Sequence, residues 1–151
     1  MAKFISATLA VCRNSEGEIL LVQEGKEHVR GKWDFPGGGL EQDESIKECV
    51  EREVKEETGY KVESTGVYGV YLEKSDTTDL PVIAFLIEAN IRSQGEPDHH
   101  FEGEILDHKF YSLDEIESLD LRKDNRSKMM EDIKNKETMN IDQFKDLRER
   151  I

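Results

Sequence analysis

Three glutamates stand where an amphipathic helix should be apolar. On a helix from about Glu44 to Thr58, at about 100° per residue, Ile46, Cys49, Val50 and Val54 fall within about 70° of one direction. Lys47, Glu48, Glu51 and Lys55 fall opposite, as on an ordinary solvated face. Glu53 and Glu57 then continue the apolar stripe, at i+3 and i+7 from Val50 and i+4 from Cys49, and Glu56 borders it. A buried carboxylate is costly unless paired or bound to metal. The stripe lacks three basic partners, so the pattern asks for an outside cation. Oxygen-only ligands suit a hard ion such as Mg²⁺ or Mn²⁺. The competing reading, a solvated Glu-rich helix, conflicts with placement on the stripe.

The spacing carries a resemblance. Gly38, five residues, Glu44, seven residues, then Arg52-Glu53-Val54-Lys55-Glu56-Glu57-Thr58-Gly59-Tyr60 resembles the box of the Nudix (MutT-like) hydrolases. Every fixed position matches, with Tyr60 an aromatic where an aliphatic is commoner. The resemblance implies an α/β fold, an α/β/α sandwich with the box helix against a mixed sheet. It implies Mg²⁺-dependent hydrolysis of a nucleoside diphosphate linked to another group, with Mn²⁺ able to substitute. Glu53, Glu56 and Glu57 map onto the metal-ligand carboxylates, and Arg52 onto the residue that orients them. Glu44 takes a supporting or metal role, and a backbone carbonyl of Gly37 or Gly38 joins the metal shell. The general base is Glu53 or a later loop Glu, either Glu102 or Glu104, with Glu104 favoured.

Substrate contacts are expected from Arg30, Trp33 and Glu102. Arg30 lies with Lys26, His28 and Lys32 in a polar loop. Trp33 stacks a base or packs the core, and His99 and His100 are solvated or bind metal or substrate. The ADP-ribose type usually has a proline closer to the box than Pro81, so nucleoside tri- and diphosphates are the favoured substrates. ADP-ribose or another nucleotide sugar is the alternative. All box carboxylates are present, which favours catalysis over a noncatalytic nucleotide-binding module.

At 151 residues the chain reads as one domain, with 120–151 as a C-terminal helical extension. Net charge is −13, and the acidic excess lies before Asp120. That argues against non-specific nucleic-acid or anionic-membrane binding and allows a phosphorylated small molecule if cations mediate. Cys12 and Cys49 form no metal or redox motif. Met1–Val11 lacks the pattern of a signal peptide, so the cytoplasm is expected. A homodimer is a possible assembly.

Element order follows from apolar runs and turn residues. Strands are expected at Lys3–Val11 and Glu18–Val22, joined by a turn, and at Lys61–Leu72, interrupted at Gly66 and Gly69. Further strands are expected at Pro81–Ile91 and Glu104–Tyr111. Gly59 should cap the box helix, and Ser112 should start a short helix over Leu113–Leu119. Helices are expected over Asn125–Lys136 and Ile141–Ile151, with Asn140 as a cap between them.

Overall fold

Successive strand residues point to opposite faces of a sheet, and along this chain both faces are buried. The computed structural model describes residues 3–97 and 103–148. In chain order it forms β1 (Ile5–Arg13), β2 (Ile19–Glu24), β3 (Trp33–Asp34), β4 (Gly37–Gly39) and α1 (Ile46–Thr58). Next come β5 (Tyr60–Lys74), β6 (Pro81–Gln94), β7 (Ile105–Tyr111), α2 (Leu113–Glu117), α3 (Arg126–Asn135) and β8 (Met139–Asn140). Leu9 and Val11 of β1 enter one apolar cluster, while Ala10 and Cys12 enter the other. Ile19 and Leu21 oppose Leu20 in the same way, and Leu86 opposes Ile87.

A helical layer covers each face. Val50 and Val54 of α1 close one cluster, and Ile116, Met129, Met130 and Ile133 of α2 and α3 close the other. The result is the expected α/β/α sandwich. Its sheet runs β3-β2-β1-β6-β5-β8, with β4 also on β1 and β7 also on β2. It is mixed, because β1 and β6 are parallel from Ile5↔Val82 to Arg13↔Asn90 while β5 and β6 are antiparallel. The two interruptions expected in β5 are register shifts, between Ser64 and Gly66 and between Val67 and Gly69. No described helix is long and apolar enough to cross a membrane.

Local signals set the helix ends. Ser45 accepts from the Glu48 N–H while the Glu48 side chain accepts from the Ser45 N–H, a reciprocal cap. This cap starts α1 at Ile46, so Glu44 precedes the helix instead of opening it. Gly59 ends the helix at φ +80°. Ser112 and Glu115 repeat the reciprocal cap before α2.

The expected helix over Ile141–Ile151 does not form. Only a 3-10 turn, Ile141–Gln143, is present, and 149–151 lie outside the described residues. Tertiary contacts override helical periodicity here. Ile141 is buried in the cluster beneath α1, and Phe144 leaves the turn extended to meet the Phe85 ring edge-on at 5.5 Å. The two-residue and three-residue strands β3, β4 and β8 carry no periodicity of their own and were not expected.

Helix α3 is tied to β3 and to the end of β5 by a buried arginine shared between two acids. The Arg126 guanidinium donates to Asp34 through Nε at 2.7 Å and Nη2 at 3.0 Å, and to Glu73 through Nη1 at 2.7 Å. Arg126 is 3% exposed and Asp34 4%. Removing one partner of such a pair leaves an uncompensated buried charge. Arg126→Met should therefore cost about 3–5 kcal/mol in urea denaturation at neutral pH. A loss under about 1 kcal/mol, the range of an exposed pair, would show that Asp34 does not depend on Arg126.

Candidate functional site

The site begins with the approach of two backbones. Strand β4 pairs with β1 through Ala7↔Gly39, Thr8↔Gly38 and Leu9↔Gly37, which sets the glycine run against α1. A Cβ on Gly37 would overlap the Thr8 carbonyl, and one on Gly38 would lie 2.5 Å from the Glu53 carboxyl. Only glycine allows both approaches. The freed Gly37 N–H donates to Glu57 Oε1 at 2.8 Å. The Gly38 carbonyl accepts from Thr8 Oγ1 at 3.5 Å and Cys49 Sγ at 3.8 Å. It is turned to those residues, and Gly38 meets the carboxylates through the open side of its Cα.

Arg52 gathers the rest. Its Nε donates to Glu44 Oε2 at 2.8 Å and its Nη2 to Glu44 Oε1 at 2.7 Å. Its Nη1 donates to Glu53 Oε1 at 2.8 Å and Glu56 Oε2 at 3.1 Å, and Nη2 also reaches the Gly39 carbonyl at 3.1 Å. Hydrogen bonding to Arg52 holds the Glu44 carboxyl below its ordinary range, and the same contact raises Arg52. Burial pushes Glu53 up despite Arg52. Burial pushes Glu57 well above the usual carboxylate range; the Gly37 N–H opposes this, and Glu53 and Glu24 add to it. Burial also drives the Cys49 thiol to about 12, so it is a packing residue and not a nucleophile.

One guanidinium thus faces Glu44, Glu53 and Glu56, and Glu57 has only an N–H. Among the described residues, no three acidic, His or Cys side chains converge closely enough to hold an ion as they stand. The oxygen donors of Glu53 and Glu56 point instead to Arg52, and Glu57 points to Gly37. The chemistry of the set still fits a hard divalent cation: all donors are carboxylate, and their charge exceeds that of Arg52. Glu44 fits least as a ligand, since Arg52 engages both of its oxygens.

Beside Gly37 and Gly38 opens a cleft of about 230 Å³. Its walls include Glu24, Asp34, Asp76, Arg122, Lys123 and Arg126. Arg122 joins Glu24 Oε1 at 3.1 Å to Asp76 Oδ2 at 3.0 Å. Glu24 is 4% exposed, burial raises its pKa and so weakens it as an acid, and its Oε2 has no hydrogen-bond partner among the described residues. A larger cleft of about 350 Å³ lies between Leu40, Ile46 and the tail near Phe144. The smaller one is the stronger candidate, because it touches Gly37 and Gly38.

The other expected contacts lie elsewhere. Trp33 is buried, stacks edge-on with Tyr111 at 5.2 Å, and is absent from the cleft wall. It is core, because its backbone is stitched to Asp120 and Arg122. Arg30 is exposed and folds back on its own loop, donating to the Gly25 carbonyl at 3.1 Å. Glu104 is exposed at the start of β7, where its carbonyl accepts from the Gly25 N–H at 2.7 Å. Glu102, His99 and His100 lie outside the described residues.

Sequence reasoning missed Glu24, Asp34 and the cations of residues 122–126 as cleft residues. Arg122, Lys123 and Arg126 looked like part of a charge-balanced tail. A usable signal was Asp34 itself: an acid between Trp33 and Phe35, on an apolar stretch, needs a cation from somewhere.

Comparison with known proteins agrees with the geometry. The NUDIX domain family matches residues 3–133. The mouse 8-oxo-dGDP phosphatase NUDT18 is 44% identical over 62 residues, which are 41% of this chain and 19% of that protein. The chain thus spans about a fifth of the length of that curated relative. A NUDIX hydrolase from Nitrosomonas europaea has the same fold, with a TM-score of 0.83 over 95% of this chain and 97% of that one at 24% identity. The MutT protein from Methanosarcina mazei superposes with a TM-score of 0.73 at 29% identity, over 90% and 98%. With its box filled, its glycine strand against α1 and this match across most of its length, the chain belongs to the Nudix family.

Proposed function

We propose that this chain is a Mg²⁺-dependent hydrolase of phosphoanhydride bonds in nucleoside tri- or diphosphates. The observation that carries the reading is the excess of carboxylate around Arg52: Glu44, Glu53 and Glu56 share one guanidinium, and Glu57 has none. Residues Glu53, Glu56 and Glu57 would hold the metal. A divalent cation held there would supply charge neutralisation for the phosphate oxygens and would lower the pKa of a bound water. Arg52 fixes the rotamers of Glu53 and Glu56, and Glu44 fixes Arg52. The Gly37 N–H orients Glu57. Glu53 is the favoured base, because its carboxyl lies against the glycine run beside the other box acids, whereas Glu104 stands exposed before β7 with its backbone on Gly25.

The cleft beside Gly37 would take the nucleoside, with Glu24 and Arg122 offering an acceptor and a donor. The similarity to a relative named an 8-oxo-dGDP phosphatase supports nucleotides as the first class to try. ADP-ribose and other nucleotide sugars are the competing class. A phosphate-release screen with Mg²⁺ over dNTPs, dNDPs and nucleotide sugars, with and without added pyrophosphatase or phosphatase, names the class and the phosphorus attacked. No turnover by a folded protein that binds Mn²⁺ would leave a noncatalytic nucleotide-binding module.

Glu57→Gln should lower kcat by about 100-fold or more, on the scale of losing a metal-site group, while leaving the far-UV spectrum unchanged. Unchanged turnover would remove Glu57 from the metal site.

The same variant tests the electrostatics without substrate. Glu53 and Glu57 have folded-state values raised above that of an unfolded Glu, about 4.3. Between those limits the folded protein binds more protons than the unfolded chain, so stability falls as pH rises through the window. Below about pH 4 both states are protonated and the contribution is fully present. In EDTA, Glu57→Gln should therefore be more stable than wild type at about pH 8, with the gain shrinking towards about pH 4.5. A gain independent of pH in urea titrations would show that the Glu57 charge is already balanced.

A further inference from the structure

We infer that the tail from Met139 to Arg148 is a strap that sets the geometry of the box, with Arg148 as its positioning residue. The inference rests on the proposed role of the box carboxylates. The tail lies beyond the span matched by the family, which ends at residue 133.

The strap is anchored at one end and clamped at the other. Met139 and Asn140 add a strand to β5 at Val67 and Gly66. Gly66 leaves room for the Thr138 side chain, which would lie 2.5 Å from any Cβ there. Asn140 caps the following turn by accepting from the Asp142 N–H at 2.8 Å. Ile141 is buried beneath α1 and Phe144 meets Phe85. The chain then crosses towards the loop before α1. There Arg148 Nη1 donates to the Gln42 carbonyl at 2.6 Å and Nη2 to the Glu44 carbonyl at 2.7 Å. Asp146 holds the same guanidinium in a fork, accepting from Nε at 2.9 Å and Nη2 at 2.8 Å.

The clamped residue is the one that holds Arg52. The Glu44 carboxylate engages Arg52 with both oxygens and also accepts from the Glu41 N–H at 2.9 Å. Arg52 in turn holds Glu53 and Glu56. A displaced Glu44 backbone would move its carboxylate, then the guanidinium, then the two acids. The effect should be local. The Arg148 side chain is 47% exposed, and a half-exposed ionic contact adds little to global stability. Its charge-assisted bonds to two adjacent-loop carbonyls instead restrict one short segment.

The test compares the full chain with Arg148→Ala and Arg148→Lys. Hydrogen exchange, Mn²⁺ affinity by electron paramagnetic resonance, and kinetics on the best substrate of the screen are measured together. In Arg148→Ala, amide exchange over residues 40–46 should rise about tenfold while the β5–β6 hairpin and the melting midpoint stay unchanged. Mn²⁺ affinity and kcat should fall about tenfold, the lower end for a group that supports metal ligands, with KM unchanged. Arg148→Lys keeps the charge but not the fork, and should fall between the two. In a Glu44→Gln background, Arg148→Ala should add little, since both act through the same link to Arg52. Unchanged exchange over 40–46 overturns the clamp. Raised exchange with unchanged Mn²⁺ affinity and kcat overturns the positioning role. If wild type neither binds Mn²⁺ nor turns over any substrate, the proposed function fails, and with it the positioning role, while exchange alone still decides whether the clamp exists.

Discussion

The Arg52 guanidinium is the point on which the functional half of the molecule depends. It spreads its donors over Glu44, Glu53, Glu56 and the Gly39 carbonyl, which joins the loop before α1, the helix itself and the glycine strand. Each of those carboxylates would repel the next without it. It cannot neutralise all of them, and Glu57 lies beyond its reach on the Gly37 N–H. The arrangement is therefore held and yet left with excess negative charge. That residual charge distinguishes it from a finished salt-bridge network and is the ground for proposing a cation there.

A second arginine does for the cleft what Arg52 does for the box. Arg126 pairs with Asp34 and Glu73, so α3 is fastened to the residues just before the glycine strand and to the end of β5. Arg122 repeats the idea nearer the surface by joining Glu24 to Asp76. The carboxylate walls of the cleft are thus set by cations from residues 122–126, and the C-terminal part of the chain shapes the site without supplying a box residue. Net charge describes this poorly: an acidic chain of −13 builds its cleft from acids that share cations, Glu24 and Asp76 on Arg122 and Asp34 and Glu73 on Arg126.

What could be read from sequence follows the range of the forces involved. The stripe of Ile46, Cys49, Val50 and Val54 and the Gly59 and Ser112 caps are set within a few residues, and the structure repeats them. Gly66 and Gly69 marked two of the three register shifts in β5, because a residue without a side chain weakens a strand wherever it falls, while the shift between Lys61 and Val62 has no glycine to announce it. The failures are contacts across the fold. Arg126 meets Asp34 across 92 positions and Arg148 meets Glu44 across 104, and neither leaves a periodic trace. The tail after Asn140 has helical spacing but is pulled extended by the burial of Ile141 and the Phe144–Phe85 contact. Trp33 was ambiguous for the same reason, since an aromatic beside a loop stacks a ligand or a neighbouring strand, and only the position of Tyr111 decides.

The glycine strand shows why the box fixes more than its acids. Gly37 and Gly38 are squeezed between the backbone of β1 and the carboxyl of Glu53. A methyl group at either position would separate β4 from β1 or push Glu53 off Arg52. The backbone N–H that orients Glu57 is available only because that strand lies so close. Close approach, the guanidinium and the acids therefore form one constraint: glycine brings the backbone in, the backbone and Arg52 aim the carboxylates, and negative charge is left over where they meet.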